Sequence, residues 1–163
     1  MNIIVAVCAN GGIGKNNDLL FNIPEDKKFF RRMTLGKTVV MGRKTYLSLP
    51  GGKGFSDRRN IILSKSADFS PADGEVCRNT EELRAILKNI HDNDIFIIGG
   101  AEIYSLLIAE CDRAYITHID ASPEADRFFP EMSPNEWRLA EESETKIFNN
   151  TSFRFQTYER IKK

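Results

Sequence analysis

One carboxylate in this chain sits where chemistry is easiest to imagine. Asp26 is followed at i+3, i+4 and i+7 by Phe29, Phe30 and Met33, while Lys27, Lys28, Arg31 and Arg32 fall on the opposite face of the same helical stretch. An acid heading an apolar stripe costs free energy unless a charged or polar group meets it. Two readings follow. In the first, Asp26 lies in a helix's first turn and complements the macrodipole. In the second, it borders an apolar pocket, where burial raises its pKa and fits it to hold a proton or to accept hydrogen bonds from a ligand.

Four predicted strand ends share a second kind of chemistry. Ala9 runs into Asn10-Gly11-Gly12, Met41 into Gly42-Arg43-Lys44-Thr45, Leu63 into Ser64-Lys65-Ser66, and Ile98 into Gly99-Gly100. Ligands of open α/β sheets bind beyond the carboxyl ends of the strands. Glycines leading into a helix let backbone N–H groups approach a phosphate. With the cations of Arg43, Lys44 and Lys65, these exits suit a ligand with several phosphates, such as a dinucleotide. Two familiar phosphate motifs are excluded. The Rossmann fingerprint fails because Asn17 stands where its third glycine belongs, and the P-loop fails at Ala9 and Asn16. No HExxH or clustered Cys/His spacing points to a metal. Neither His91 nor His118 has an evident nucleophile partner.

The elements that must position these groups alternate along the chain. Strands are expected over residues 2–9, 37–41, 60–63, 75–78, 94–98 and 113–119, and helices over 24–34, 45–48, 80–90 and 101–110. Asn22 with Glu25 resembles a capping box, and Thr80 is the expected cap of the third helix. An acidic, proline-bearing loop reaches about residue 136, and residues 137–146 and 152–160 form a long hairpin turning at Asn149-Asn150. The pattern predicts an α/β sandwich with a mostly parallel sheet and an antiparallel C-terminal edge.

With 163 residues and no linker, repeat or low-complexity segment, a single domain over 1–163 is expected. Lys plus Arg and Asp plus Glu are 23 each, so no global field favours nucleic acid or a membrane surface. Three cysteines without CxxC spacing suit a reducing compartment. The apolar N-terminal run lacks a basic flank and a cleavage site, and a cytoplasmic location is expected.

Taken in order, IVAVCANGGIG, FNIPEDKKFFRRMT, VVMGRKTYLSL, RRNIILSKS, IFIIGGAEIY, YITHID and FRFQTYER resemble dihydrofolate reductase over nearly the whole chain. The resemblance implies a three-layer fold with a central eight-stranded sheet flanked by four helices. It implies reduction of dihydrofolate to tetrahydrofolate by NADPH, and antifolate compounds as inhibitors. It places Asp26 against the pterin, with Thr117 bracing it and Val5, Ala6, Lys27, Phe30, Leu49 and Ile98 around the substrate. Arg58 would grip the glutamate α-carboxylate. Residues 13–19, with Ile13, Gly14, Asp18 and Leu19 as contacts, would close over the nicotinamide. Gly42, Arg43, Lys44, Thr45, Leu63, Ser64 and Lys65 fall on the adenosine-phosphate side, and Gly99, Gly100, Ala101, Glu102, Ile103 and Tyr104, with Ala6 and Ile98, on the pyrophosphate and nicotinamide side. No metal is implied, and a monomer is expected.

The chain departs from the family pattern at three places. Leu20-Phe21 stands where many members carry Pro-Trp, Glu102 where some carry a basic residue, and the 50–56 loop is unusually glycine-rich. Two other readings share parts of this pattern: an NADPH-dependent reductase of a pyrimidine or riboflavin precursor, and a non-catalytic nucleotide-binding module. In the dihydrofolate reductase reading, hydride would pass to pterin C6 and a proton to N5, with Asp26 governing protonation through water and the rate falling as pH rises through its pKa.

Overall fold

The computed structural model describes residues 1–162. In chain order the strands and helices are β1 (Asn2–Cys8), β2 (Gly12–Lys15), β3 (Asp18–Leu19), α1 (Pro24–Thr34), β4 (Thr38–Gly42), α2 (Arg43–Ser48), β5 (Arg59–Leu63), β6 (Glu75–Cys77), α3 (Thr80–Leu87), β7 (Ile95–Gly99), α4 (Ala101–Leu107), β8 (Arg113–Ile119), β9 (Arg127–Phe128), β10 (Trp137–Glu142), β11 (Lys146–Phe148) and β12 (Thr151–Arg160). Eight strands form the central sheet in the order β10-β12-β8-β1-β7-β4-β5-β6, with β11 added against β12. The pairs from β8 through β6 are parallel, and β12 joins antiparallel to β8, β10 and β11. This is the expected mixed sheet with four helices and an antiparallel edge.

Sequence composition explains which strands lie where. β1, β4, β5 and β7 are nearly continuous Ile, Val and Met, as strands covered on both faces require. Val40, Ile61, Ile97, Leu83 and Leu107 build one side of the core beneath α3 and α4. Val39, Met41, Ile62 and Phe96 build the other with Phe29, Phe30 and Met33 of α1 and Tyr46 of α2. At the edge, Phe153 of β12 is buried while Asn149 and Asn150 turn the β11–β12 hairpin at φ 47° and 61°. Asparagine tolerates that left-handed region better than most residues.

Several local expectations are corrected. Ile23, not Asn22, caps α1, and no side-chain capping bond forms, because Pro24 supplies the preset φ of the first turn instead. α3 is capped by Asn79, whose side chain accepts from the Glu82 N–H, and Thr80 is already helical. α3 ends at Leu87 and α4 at Leu107, so Ile90 and Ile108–Glu110 lie beyond the regular helix. The loop after β1 is itself a small sheet, β3-β2-β9, in which β2 pairs with the two-residue β9 inside the acidic loop.

β1 and β7 are neighbours, yet their connections part to opposite faces: β1 leads to α1, β7 to α4. Such a switch point opens a crevice at the strand ends.

Candidate active site

Asp26 occupies the first turn of α1, half-buried at the mouth of this crevice. The Thr117 hydroxyl on β8 donates to Asp26 Oδ1 at 2.6 Å, and Thr117 itself is buried. Oδ2 takes no hydrogen bond from any described residue and is left for a ligand. Burial pushes the Asp26 carboxyl above the ordinary range, and the Thr117 bond opposes this by favouring the charged form. Desolvation dominates. Register explains the placement of Thr117: it lies between Ala6 of β1 and Phe155 of β12, and Phe155 stacks on Phe29 of α1 at 4.5 Å. The helix that carries the acid is thereby pressed against the strand that braces it.

Away from Asp26, the same helix face continues to Phe30, about one turn along. Phe30, Leu49, Phe55 and Ile98 pack into one apolar cluster. At its far end the Arg58 guanidinium lies 5.6 Å from the Phe30 ring and 4.2 Å from the Phe55 ring. The crevice therefore runs from a carboxylate across aromatic walls to a cation. Not every expected wall residue contributes a side chain to it. Ala6 does, whereas Val5 alternates to the opposite core beside Ile3 and Tyr104. Lys27 lies on the solvent face of α1.

The strand exits meet on the other side of the crevice. Gly42 and Gly100 start α2 and α4, and neither helix has a side-chain cap, so their first N–H groups are free to donate. Gly99 stands at φ +121°, a region closed to residues with side chains, and a Cβ on Gly42 would meet Ile103 at 3.1 Å. Arg43, Lys44 and Lys65 are exposed, and among the described residues they form no ion pair. Thr45 is half-buried, and its hydroxyl oxygen lies 3.4 Å from where a Gly100 Cβ would be. Ser64 is buried and its Oγ accepts from the Ser66 N–H at 3.2 Å. Leu63 and Ala101 are half-buried beside them, while Glu102 is exposed. Tyr104 is buried with its hydroxyl on the Ile4 carbonyl at 2.9 Å, and burial raises its pKa, with the Asp26 charge adding to the rise. Free backbone donors flanked by unpaired cations are a fitting donor set for a dinucleotide's phosphates.

After β1 the chain forms the β2–β3 flap. Its turn, Asn16-Asn17, has φ of 52° and 62°, and Asp18 and Leu19 are exposed. Asp126 holds it: Oδ2 accepts from the Asn16 N–H at 3.0 Å and the Asp126 N–H donates to the Gly14 carbonyl at 3.0 Å. Lys15 pairs with Glu124 at 3.0 Å, and half-buried Ile13 packs on the α3–α4 side of the core. Leu20 and Phe21, the departure from Pro-Trp, pack with Ile23, Ile119 and Phe153, which ties the flap's base to α1.

The family model for dihydrofolate reductase matches residues 1–160. The chain belongs to the dihydrofolate reductase family. It is 41% identical to a dihydrofolate reductase of Neisseria gonorrhoeae, covering 88% of each chain, and 34% identical to that of Bacillus subtilis, covering 98% of this chain and 94% of the relative. It superposes on the Enterococcus faecalis dihydrofolate reductase, solved in complex with NADP(H) and RAB-propyl, with a TM-score of 0.87, 29% identity, and coverage of 98% and 95%.

For a dihydrofolate reductase, the supporting residues that sequence reasoning missed are as informative as those it found. Asn60 accepts from the Phe55 N–H at 3.0 Å and donates to the Phe55 and Arg58 carbonyls at 2.8 and 3.1 Å, fixing the turn that presents both. Arg78 donates to the carbonyls of Ser64, Ser66 and Phe69 and so braces the loop bearing Lys65. A polar residue opening a strand or following one carries no periodic signal. His118 meets Asp120 at 3.2 Å, a pairing shared with Arg154 rather than with a nucleophile. Cys8, Cys77 and Cys111 are free and buried.

Proposed function

We propose that this protein reduces dihydrofolate to tetrahydrofolate with NADPH, and that Asp26 governs the protonation. The observation that carries this reading is the half-buried Asp26 carboxylate, braced by Thr117 and open at Oδ2, facing an apolar crevice that ends in Arg58. A non-catalytic nucleotide module has no use for that acid.

When bound, NADPH supplies the hydride that passes from its nicotinamide C4 to pterin C6. The chain's residues do the rest. Backbone N–H groups at Gly99–Ala101 and at the start of α2, with Arg43, Lys44, Thr45, Ser64 and Lys65, hold the phosphates. Because Arg43, Lys44 and Lys65 have no carboxylate partners among the described residues, they are available to a 2′-phosphate, despite Glu102. Asp26 accepts the pterin's N3–H and 2-amino N–H in a bidentate pair. Thr117 fixes the carboxylate plane. Burial raises the Asp26 pKa and so favours its protonated form, and its influence reaches N5 through water. Phe30, Leu49 and Ile98 exclude bulk solvent, Ala6 supplies the floor, and residues 13–19 close the nicotinamide side. Arg58 takes the substrate's α-carboxylate.

One sheet drawing strands from residue 2 to residue 160 supports a single domain. We read the protein as a cytoplasmic monomer: its thiols are buried and unpaired, and its helices turn their apolar faces into the sheet. No helix is long and apolar enough to cross a membrane.

Loss of NADPH absorbance on adding dihydrofolate tests the reaction, with NADH as control. Dihydrofolate-dependent oxidation, faster with NADPH, is expected. NADPH binding without turnover would overturn it.

A further inference from the structure

The Asp73 carboxylate bridges two segments that the site uses separately. Oδ1 accepts from the Tyr46 hydroxyl, and Oδ2 accepts from the Gly54 N–H at 2.7 Å. Tyr46 follows Thr45 in α2, so one arm of the bridge starts on the helix that opens the phosphate side. Its ring is 5% exposed and stands edge-on to Phe69 at 5.6 Å, and the Phe69 carbonyl accepts from Arg78. A buried tyrosine hydroxyl needs an acceptor, and Asp73 supplies it. The other arm ends at Gly54, directly before Phe55 and the turn that presents Arg58.

Asp73 is a well-anchored post. A Cβ on the next residue, Gly74, would overlap Ile62, so the chain lies directly on β5, and the Asp73 carbonyl accepts from the Asn60 amide at 3.5 Å. The Tyr46 bond above all, with the Gly54 bond adding to it, holds the Asp73 carboxyl below the ordinary carboxylate range, so it is charged near neutrality. Gly54, by contrast, follows a stretch with little stiffness of its own. Gly51 and Gly52 have φ of +70° and +62° with open space around them. Among the described residues, the bond to Asp73 is the only hydrogen bond Gly54 makes.

We propose that Asp73 is a positioning residue for the substrate end of the crevice: it carries the position of α2 through the Tyr46 hydroxyl to the Gly54 N–H, and so sets where the 54–58 turn stands beside a bound substrate. This rests on the proposed reaction, with a substrate whose tail reaches that turn. Asn60 pins the turn from within, at Phe55 and Arg58, and Asp73 pins its entry. Without that second tie, a tailed substrate bears the entropy of ordering the loop when it binds. The loss falls on binding rather than on hydride transfer, because the Asp26–Thr117 pair has no bond to Asp73 or Tyr46.

The test is steady-state kinetics of the full chain at saturating NADPH, with dihydrofolate and with 6-methyl-7,8-dihydropterin, which lacks the tail. Asp73→Ala is expected to raise the KM for dihydrofolate roughly two- to tenfold, with kcat within about twofold of wild type and the KM for the tail-less pterin unchanged. Asp73→Asn, which keeps an acceptor for Gly54 and a polar partner for Tyr46, should restore most of the loss. Tyr46→Phe keeps the ring against Phe69 and should raise the KM less, and joined to Asp73→Ala it should add nothing further. An unchanged KM in Asp73→Ala, equal rises for both substrates, or an asparagine variant as impaired as the alanine would overturn the positioning role. Additive effects of the Asp73 and Tyr46 substitutions would overturn it too, because one bridge is lost only once. Failure of wild-type protein to turn over dihydrofolate would instead overturn the reaction, a result seen before any variant is made.

Discussion

Thr117 donates its hydroxyl proton to Asp26 Oδ1 across 2.6 Å, joining β8 to the first turn of α1 over a sequence separation of 91 residues. The bond opposes the desolvation that raises the Asp26 pKa, because a donated hydrogen bond favours the ionised carboxylate. Thr117→Val removes the hydroxyl at nearly constant volume. The pH at which turnover declines should move upward, and stability should fall by about 1 kcal/mol. A pH–rate profile beside a denaturant melt checks both. An unmoved or lowered inflection would contradict this assignment of the bond.

Asp26 also makes stability depend on pH. Its folded pKa is raised above that of the unfolded chain, so between the two values the folded state holds more protons than the unfolded state. Stability therefore falls as pH rises through that window, and the loss is complete above the folded pKa. Asp26→Asn keeps an oxygen for Thr117 and carries no charge. It should melt at a higher temperature than wild type at neutral pH, with the advantage shrinking as pH falls into the ordinary carboxylate range. Parallel melting curves at every pH would contradict it.

Asp126 ties the flap to the acidic loop through the Asn16 N–H and the Gly14 carbonyl. Asp126→Ala removes the carboxylate bond and leaves the backbone bond intact. This bond is exposed to solvent and is worth about 0.5–1.5 kcal/mol, so closure over the nicotinamide should weaken roughly two- to tenfold. The KM for NADPH should rise with little change in melting temperature. Unchanged KM and kcat would show that the flap closes without Asp126.

Much of this fold was legible because its signals are local. The spacing of Phe29, Phe30 and Met33 set the inward face of α1, and the β-branched runs at Ile3–Val5, Thr38–Val40 and Ile95–Ile98 marked strands buried on both faces. Asn149-Asn150 marked its hairpin through left-handed propensity. The cap of α3 was missed because Asn79 and Thr80 are both good caps, and backbone geometry alone decides between them. β9 has two residues, too few for any period, and is a strand only because β2 pairs with it. Within the site, the acid and the phosphate-side cations stood out by residue type. Alternation sends the Val5 side chain to the other core, which leaves its backbone as the part that can face the crevice. Asn60, Arg78 and Asp126 act through backbone groups brought close only by the fold, and a linear pattern does not show such partners.

The most direct measurement is steady-state NADPH oxidation with dihydrofolate across pH, for wild type and Asp26→Asn side by side. Wild type should lose rate as pH rises through the Asp26 pKa, above the usual carboxylate range, and Asp26→Asn should be slower by roughly 10²–10⁴-fold near neutrality with that inflection gone. A variant that retains full turnover at neutral pH, or keeps the wild-type inflection, would contradict the assignment of Asp26 as the group that governs proton delivery.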